Sequence, residues 1–446
     1  MFEKLKHIPL ANAMLRRPPG FYRAARRLLA NAADMTPATL DAWRRQKLSL
    51  ILENARKLPG YAGAPRTDDL SAWPVLAKGA ILGREGDFAT SSFLPSVPAA
   101  TGGTTGQPMK LARTWRSVAF EQAVIDHLCA NCGIEPAKAR IAILRGDSIK
   151  PASDMTPPYW IDEGLKRRIF SAHHLSRENI AHYRAALTEF APEILFCYPS
   201  SLATLVNLLD EDCSVKIPLV FASSEMLPLA TLQRARKVLS ADVIDFYGHA
   251  ERIACAWSLN GEGYRFLPAY GYMELLPAGE GLARIVATSL NPQGQIFVRY
   301  DTGDLARVPS QDPCILEEIA RGIRTFEGIE GRDSEFVDLP GGRRIIGLNH
   351  IPRGVSGAAS IQVHHNAAEE VTLYVTPSAS PANLGVDQLI ANFRQKFPAH
   401  IKARIVFVER PVRERNGKAP LLLRTPDAAS IALSPKQPLS HLEYAA

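Results

Sequence analysis

The sequence predicts an α/β protein: a large N-terminal domain of mostly parallel strands flanked by helices, with a small antiparallel β subdomain, followed by a small α+β domain. Three observations carry this. Up to about residue 250, short apolar runs alternate with helical patterns; after Gly271 the chain becomes β-rich; and after Gly331 it breaks into a hairpin, one helix and one strand. Alternating strands and helices imply a largely parallel sheet covered on both faces, whose ligands belong at the carboxyl ends of the strands.

The elements follow in chain order. The first thirty residues carry Lys4, Lys6, Arg16, Arg17, Arg23, Arg26 and Arg27 against Glu3 alone. Phe2, Leu5, Ile8, Leu10, Leu15, Phe21 and Leu28 recur at roughly helical spacing, which fits a helix packed on its own domain with a basic solvated face. Contact with a membrane surface or an acidic partner is the other reading. Thr39 to Leu58 is periodic and Pro59-Gly60 stops it. Phe120, Val124, Ile125 and Leu128 mark a helix closed by Gly133. Cys129 and Cys132 fall inside it as structural thiols, since no second Cys/His pair completes a zinc or redox site.

Strands are expected at Ile141–Leu144, Ile194–Cys197, Leu219–Phe221 and Val243–Phe246, with helices over 201–209 and 229–239 between them. The later β segments are 272–276, 283–289 and 295–300. The C-terminal part offers 360–363 with 371–375 as a hairpin, 386–397 as a helix and 403–408 as a strand. The last twenty or so residues, rich in Pro, Ser and Ala, read as a loosely attached tail.

A chain of 446 residues exceeds what one core usually supports, and 46% hydrophobic content is ample for burial. The net charge of +7 is mild, and Lys/Arg alternate with Asp/Glu, so nothing suggests a nucleic-acid stripe. No apolar run approaches the ~20 residues of a membrane span, so no transmembrane segment and a cytoplasmic location are expected. Six scattered cysteines form no disulfide framework, and free thiols are expected. The oligomeric state is not legible.

Thr101-Gly102-Gly103-Thr104-Thr105-Gly106-Gln107-Pro108 is the densest motif. Its glycines permit the backbone angles that aim successive N–H groups at one anion, and its threonines add hydroxyl donors, which suits a polyphosphate. It lacks the G-x-x-x-x-G-K-[ST] pattern of kinases and GTPases. Downstream, in order, stand Tyr247-Gly248-His249-Ala250-Glu251, Arg299-Tyr300-Asp301-Thr302-Gly303-Asp304, Gly331-Arg332 and Asn416-Gly417-Lys418.

In this order and spacing the set resembles the adenylate-forming superfamily of acyl-CoA ligases over most of the chain. Arg145-Gly146-Asp147, Cys197-Tyr198-Pro199-Ser200, Tyr270-Gly271-Tyr272-Met273-Glu274 and Gly341-Gly342-Arg343-Arg344 look most like the capsule-biosynthesis (CapK-type) branch of phenylacetate–CoA-ligase-like proteins. The resemblance implies ATP-dependent activation of a small-molecule carboxylic acid through an acyl-adenylate, with pyrophosphate released. The acyl group then passes to CoA. Transfer to an amine of a sugar or amino acid, or an adenylyltransferase leaving AMP on its substrate, are the alternatives.

Residue by residue, the resemblance implies that Thr101 to Gly106 hold the β- and γ-phosphates and that Glu251 binds Mg²⁺. Tyr247 and Gly248 lie against adenine, Ser224 and Glu225 run along its edge, and Asp304 accepts from the ribose hydroxyls. Arg332 sits near the ribose and domain junction, and Lys418 reaches the α-phosphate and the substrate carboxylate. It also implies a division into a domain of residues 1–331 and a mobile lid of 332–446 carrying the lysine. Tyr198, His249 and Trp257 are candidate walls of the acid pocket, with Tyr159 and Trp160 outside them; His249 reads equally as a structural imidazole. The sequence departs from the family pattern at Met109, where many relatives carry lysine, at Ala250, where a hydroxyl is usual, and at Ser334 in the hinge position.

Overall fold

The computed structural model describes residues 14–90, 96–101, 109–147, 149–151, 154–211, 213–291, 294–330, 337–339, 344–345, 348, 351–367, 369–378, 380–413, 418–423 and 441–444. It divides into two compact units: residues 1–137, 246–258 and 262–329 in the first, and 138–245, 259–261 and 330–446 in the second. Gly102 to Gly106, Arg332, Ser334, Asn416 and Gly417 lie outside the described residues.

The first unit begins with helices Pro19–Asp34 and Pro37–Ala55, the second capped by the Thr36 hydroxyl on the Thr39 N–H. Helix Pro19–Asp34 is tied down by a charged network. Arg17 and Tyr22 both bond Asp126, a fully buried carboxylate on helix Trp115–Asn131. Arg17 at this end therefore serves the domain's own packing. On the same long helix Cys129 is buried and its thiol pushed up by that burial, whereas Cys132 at the C-cap is only partly covered.

A hairpin of Val97–Ala100 and Lys110–Arg113 follows. An antiparallel sheet then runs through Gly271–Gly279, Leu282–Ser289 and Tyr300–Arg307. The strand expected at 295–300 instead begins at Tyr300. Ile296 and Val298 are buried without a ladder: the Ile296 N–H donates to the Phe88 carbonyl and the Val298 N–H to the Tyr61 hydroxyl.

In the second unit, strands Leu219–Ser223, Ile194–Cys197, Ile141–Arg145 and Arg167–Ser171 are parallel neighbours in that order, edged by the antiparallel strand Trp160–Asp162. Helices Ile180–Phe190, Pro199–Leu208 and Leu229–Leu239 connect them around a core that includes Leu144, Leu195, Leu202 and Val220. Ile141–Arg145, Ile194–Cys197, Leu219–Ser223, Pro199–Leu208 and Leu229–Leu239 are the expected elements with boundaries moved by a residue or two, whereas Trp160–Asp162, Arg167–Ser171 and Ile180–Phe190 are elements the sequence pattern does not predict. Tyr159 belongs to this core, 2% exposed and stacked between His174 and Tyr183, so it is no pocket wall.

Residues 337–423 form their own hydrophobic cluster around the hairpin Ala358–Ala367 and Glu370–Pro377 and the helix Val386–Lys396. Strand Lys402–Phe407 runs parallel to Glu370–Pro377. The tail is not wholly loose: His441–Tyr444 adds an antiparallel strand to Lys402–Phe407.

Candidate active site

In the first unit the neck of the glycine-threonine loop is built before the loop begins. The Thr101 N–H donates to the Met109 carbonyl at 3.1 Å, and the Met109 N–H donates to the Thr101 hydroxyl at 3.0 Å. This pair extends the hairpin register Ala100↔Lys110 by one step and pins the ends of residues 102–108 together. Thr101 is 4% exposed and Met109 fully buried among Phe88, Ile253 and Phe266, so the position where relatives carry lysine is here a core position.

The Tyr247–Glu251 segment and the Arg299–Asp304 segment interlock. The Tyr300 hydroxyl donates to Glu251 Oε1 at 2.8 Å, and His249 Nδ1 lies 3.2 Å from Glu251 Oε2. His249 Nε2 accepts the Ala254 N–H at 3.2 Å, which leaves the proton on Nδ1 and makes it the donor to Glu251. Of the two readings of His249, this geometry is that of a positioning residue. Burial alone would raise the Glu251 carboxyl; the His249 and Tyr300 hydrogen bonds outweigh it and hold the group well below the usual carboxylate range.

Glu251 is thus an ionised carboxylate, 7% exposed, with a hydrogen-bond donor on each oxygen. Among the described residues no three His, Cys, Asp or Glu side chains cluster as a metal cage. A single hard carboxylate completed by waters and substrate phosphates is how Mg²⁺ is usually held, and an ionised carboxylate is the ligand type that suits that cation.

Asp304 is presented by two side-chain turns: the Gly303 N–H donates to Asp301 Oδ1 and the Asp304 N–H to the Thr302 hydroxyl. Gly303 takes φ +75°, which a larger residue would resist. Arg299 anchors the start of this strand through Glu274, at 2.9 and 3.1 Å, and the Trp73 carbonyl at 2.6 Å. The Tyr247 hydroxyl donates to Asp304 Oδ2 at 2.7 Å. One bond therefore fixes the tyrosine ring and the carboxylate together. Gly248 leaves room that a Cβ would take from the Phe246 ring, 2.8 Å away. Trp257 lies partly buried on strand Cys255–Leu259, opposite Arg265.

Sequence reasoning missed two residues in this unit. Tyr300 sat inside a quoted motif, but only the fold aims its hydroxyl at Glu251. Arg113 lines a small cavity with Glu251, Gln295 and Phe297. Its Nη2 donates to the Ala250 carbonyl at 2.9 Å, Nε has no partner, and burial together with Arg252 lowers its pKa to about 10.

The second unit gathers the remaining candidates at the carboxyl ends of its parallel strands. Ser224 follows strand Leu219–Ser223 with φ +75°, an unusual angle for serine that marks a sharp turn. Glu225 uses both oxygens: Oε2 accepts the Ser200 N–H at 2.8 Å, at the start of helix Pro199–Leu208, and Oε1 accepts the Ala419 N–H at 2.7 Å. It therefore clasps the segment carrying Lys418. The Lys418 ammonium stands 6.0 Å from the Tyr198 ring centre, and Arg413 Nη1 donates to the Ser200 hydroxyl at 2.9 Å. Tyr198, Glu225 and Lys418 are brought together as one cluster.

No helix among the described residues is long and apolar enough to cross a membrane. No family model matches the chain. Protein CapK of Staphylococcus aureus is 23% identical over 242 residues, 53% of this chain; the match spans about half the relative's length, 53%. Crystal structures of a 2-hydroxyisobutyryl-CoA ligase in the postadenylation state, in complex with R3-HIB-AMP and with 2-HIB-AMP, each superpose with a TM-score of 0.59. Both cover 88% of this chain and 90% of theirs, at 16% and 15% identity. The chain thus carries the fold of the adenylate-forming CoA ligases and is similar in sequence to CapK.

Proposed function

We propose that this protein is an AMP-forming ligase: it activates a carboxylic acid with ATP, releases pyrophosphate, and passes the acyl group from the adenylate to an acceptor, with CoA as the first candidate. The observation that carries this reading is the pairing of Glu251 with Tyr300 and of Asp304 with Tyr247. Two sequence-distant motifs converge to make one ionised, buried carboxylate and one presented carboxylate, on a fold whose solved neighbours hold acyl-AMP.

Each residue has a task. The Thr101–Met109 neck holds the loop that receives the phosphates. Glu251, kept ionised, supplies one oxygen to Mg²⁺, which neutralises charge on the phosphates. Asp304 accepts from ribose while Tyr247, fixed by it, offers a ring face to adenine. Lys418 offers a mobile ammonium to charge developing at the reacting centre. Residues 332–446 act as the lid in this reading; the separate hydrophobic cluster of 337–423 supports a body able to move as one piece.

A second reading is transfer of the acyl group from the adenylate to an amine, with AMP as the leaving group. The deciding measurement is acid-dependent, Mg²⁺-dependent exchange of pyrophosphate into ATP across a panel of acids, followed by product analysis with CoA, hydroxylamine and amino sugars. Absence of exchange with every acid would reject adenylation; amide rather than thioester product would select the second reading.

A further inference from the structure

We propose that the acid activated here carries a second anionic group, and that Arg145 binds it. This deepens the adenylation reading and rests on it. Arg145 ends strand Ile141–Arg145 at its carboxyl end, where parallel sheets place ligands. The adjoining strand ends surround it. The Phe196 and Tyr198 ring centres lie 5.8 and 5.9 Å from its guanidinium carbon, and Nη2 donates to the Ser223 hydroxyl at 3.3 Å.

That hydroxyl is its one hydrogen-bond acceptor among the described residues. Nε is buried without a partner, and no described carboxylate forms an ion pair with it. Arg113 shares this state, with an unpartnered Nε and one carbonyl acceptor, but two guanidiniums near acidic groups are treated differently. Arg168, on the neighbouring strand, pairs with Asp162 and Glu189 at 2.7 Å each and with the Ala186 carbonyl, and Arg299 pairs with Glu274. Glu225 forms no hydrogen bond or ion pair with Arg145; its oxygens each accept one backbone N–H, from Ser200 and Ala419.

A half-buried cation with five donors and one neutral acceptor is left undersatisfied, and a cation 6 Å from an aromatic centre gains little from the ring. A carboxylate on the ligand would meet the free edge of the fork in bidentate fashion. Lys418 lies on the same Tyr198 ring, 6.0 Å from its centre. Two cations thus share one aromatic wall. With Lys418 committed to the reacting carboxylate, Arg145 is left for a second anionic group on the same acid, and a dicarboxylate supplies both.

The test uses the full chain and matched pairs in the pyrophosphate exchange: benzoate against isophthalate and terephthalate, butyrate against succinate and glutarate. At least one dicarboxylate should exceed its monocarboxylate partner in kcat/KM by roughly 10–100-fold, the range expected for a charge-assisted contact. Arg145→Met should erase that preference by raising the KM for the diacid, with the KM for ATP moving far less, and Arg145→Lys should restore part of it. Equal use of mono- and diacids by the wild type, or a preference that survives Arg145→Met, overturns the proposal. A KM rise confined to ATP also overturns it and assigns Arg145 to a phosphate. Exchange with monoacids but without diacid preference defeats this inference alone; no exchange with any acid defeats the adenylation reading as well. If Arg145→Met does not fold, the wild-type panel and Arg145→Lys carry the decision.

Discussion

The two units hold their functional side chains in contrasting ways. In the first, Glu251, His249, Tyr300, Asp304 and Tyr247 are locked by side-chain hydrogen bonds of 2.7 to 3.2 Å within buried or half-buried surroundings. In the second, the Lys418 and Arg145 cations stand about 6 Å from the Tyr198 ring centre, and the lysine segment is tied by the Ala419 N–H to one carboxylate, Glu225. The difference teaches where rigidity is needed. Groups that hold a metal and a nucleoside work best preorganised, whereas a cation serving one half-reaction must be able to leave.

The sharpest way to break this contrast is Lys418→Ala. It should slow adenylation on the order of 10²–10³-fold, as deleting one preorganised electrostatic group does, while transfer from a synthetic acyl-adenylate stays near normal. Equal loss in both half-reactions, measured beside a melting temperature, would erase the distinction between a mobile and a fixed group.

Asp304→Ala tests the locked side. If Asp304 is the proposed ribose acceptor, the change removes it along with the Tyr247 hydroxyl bond, so kcat/KM for ATP should fall roughly 10–100-fold, mostly through KM. Wild-type kinetics would remove Asp304 from the nucleoside site.

Tyr300→Phe is a smaller perturbation of the same lock. Loss of one hydrogen bond to ionised Glu251 should cost roughly ten-fold in exchange and raise the Mg²⁺ concentration needed for half-maximal rate. An unchanged Mg²⁺ dependence would mean that Tyr300 serves packing alone.

The smallest effect is on stability. Glu251 is held at about 2 in the folded protein against 4.5 when free, so its contribution is present above about 4.5 and is lost as pH falls toward 2. Glu251→Gln should therefore flatten the acid limb of a denaturation curve measured without nucleotide. Parallel limbs in variant and wild type would show that the hydrogen bonds do not favour the ionised form.

Much of the frame was legible in the sequence. Ile194–Cys197 and Leu229–Leu239 fall where apolar periodicity places them, because a buried strand and an amphipathic helix each write their period into local residues. The run 295–300 reads as a strand and is none. Alternation reports that Ile296 and Val298 are buried, not which backbone they meet, and here the partners are the Phe88 carbonyl and the Tyr61 hydroxyl. Tyr159 failed in the same way: an aromatic near a predicted pocket turned out to be core.

By itself, then, the sequence determined the order of most elements and named the candidate chemical types: a glycine-threonine segment, Glu251, Asp304 and Lys418. These depend on local composition and period. Tertiary structure alone decided that Tyr300 and His249 serve Glu251, that Glu225 accepts backbone N–H groups from two segments, and that Arg145 has no counter-ion among the described residues. Each of those is a matter of which groups meet across 2 to 194 residues of chain, and hydrogen-bond satisfaction is settled only when the partners are packed face to face.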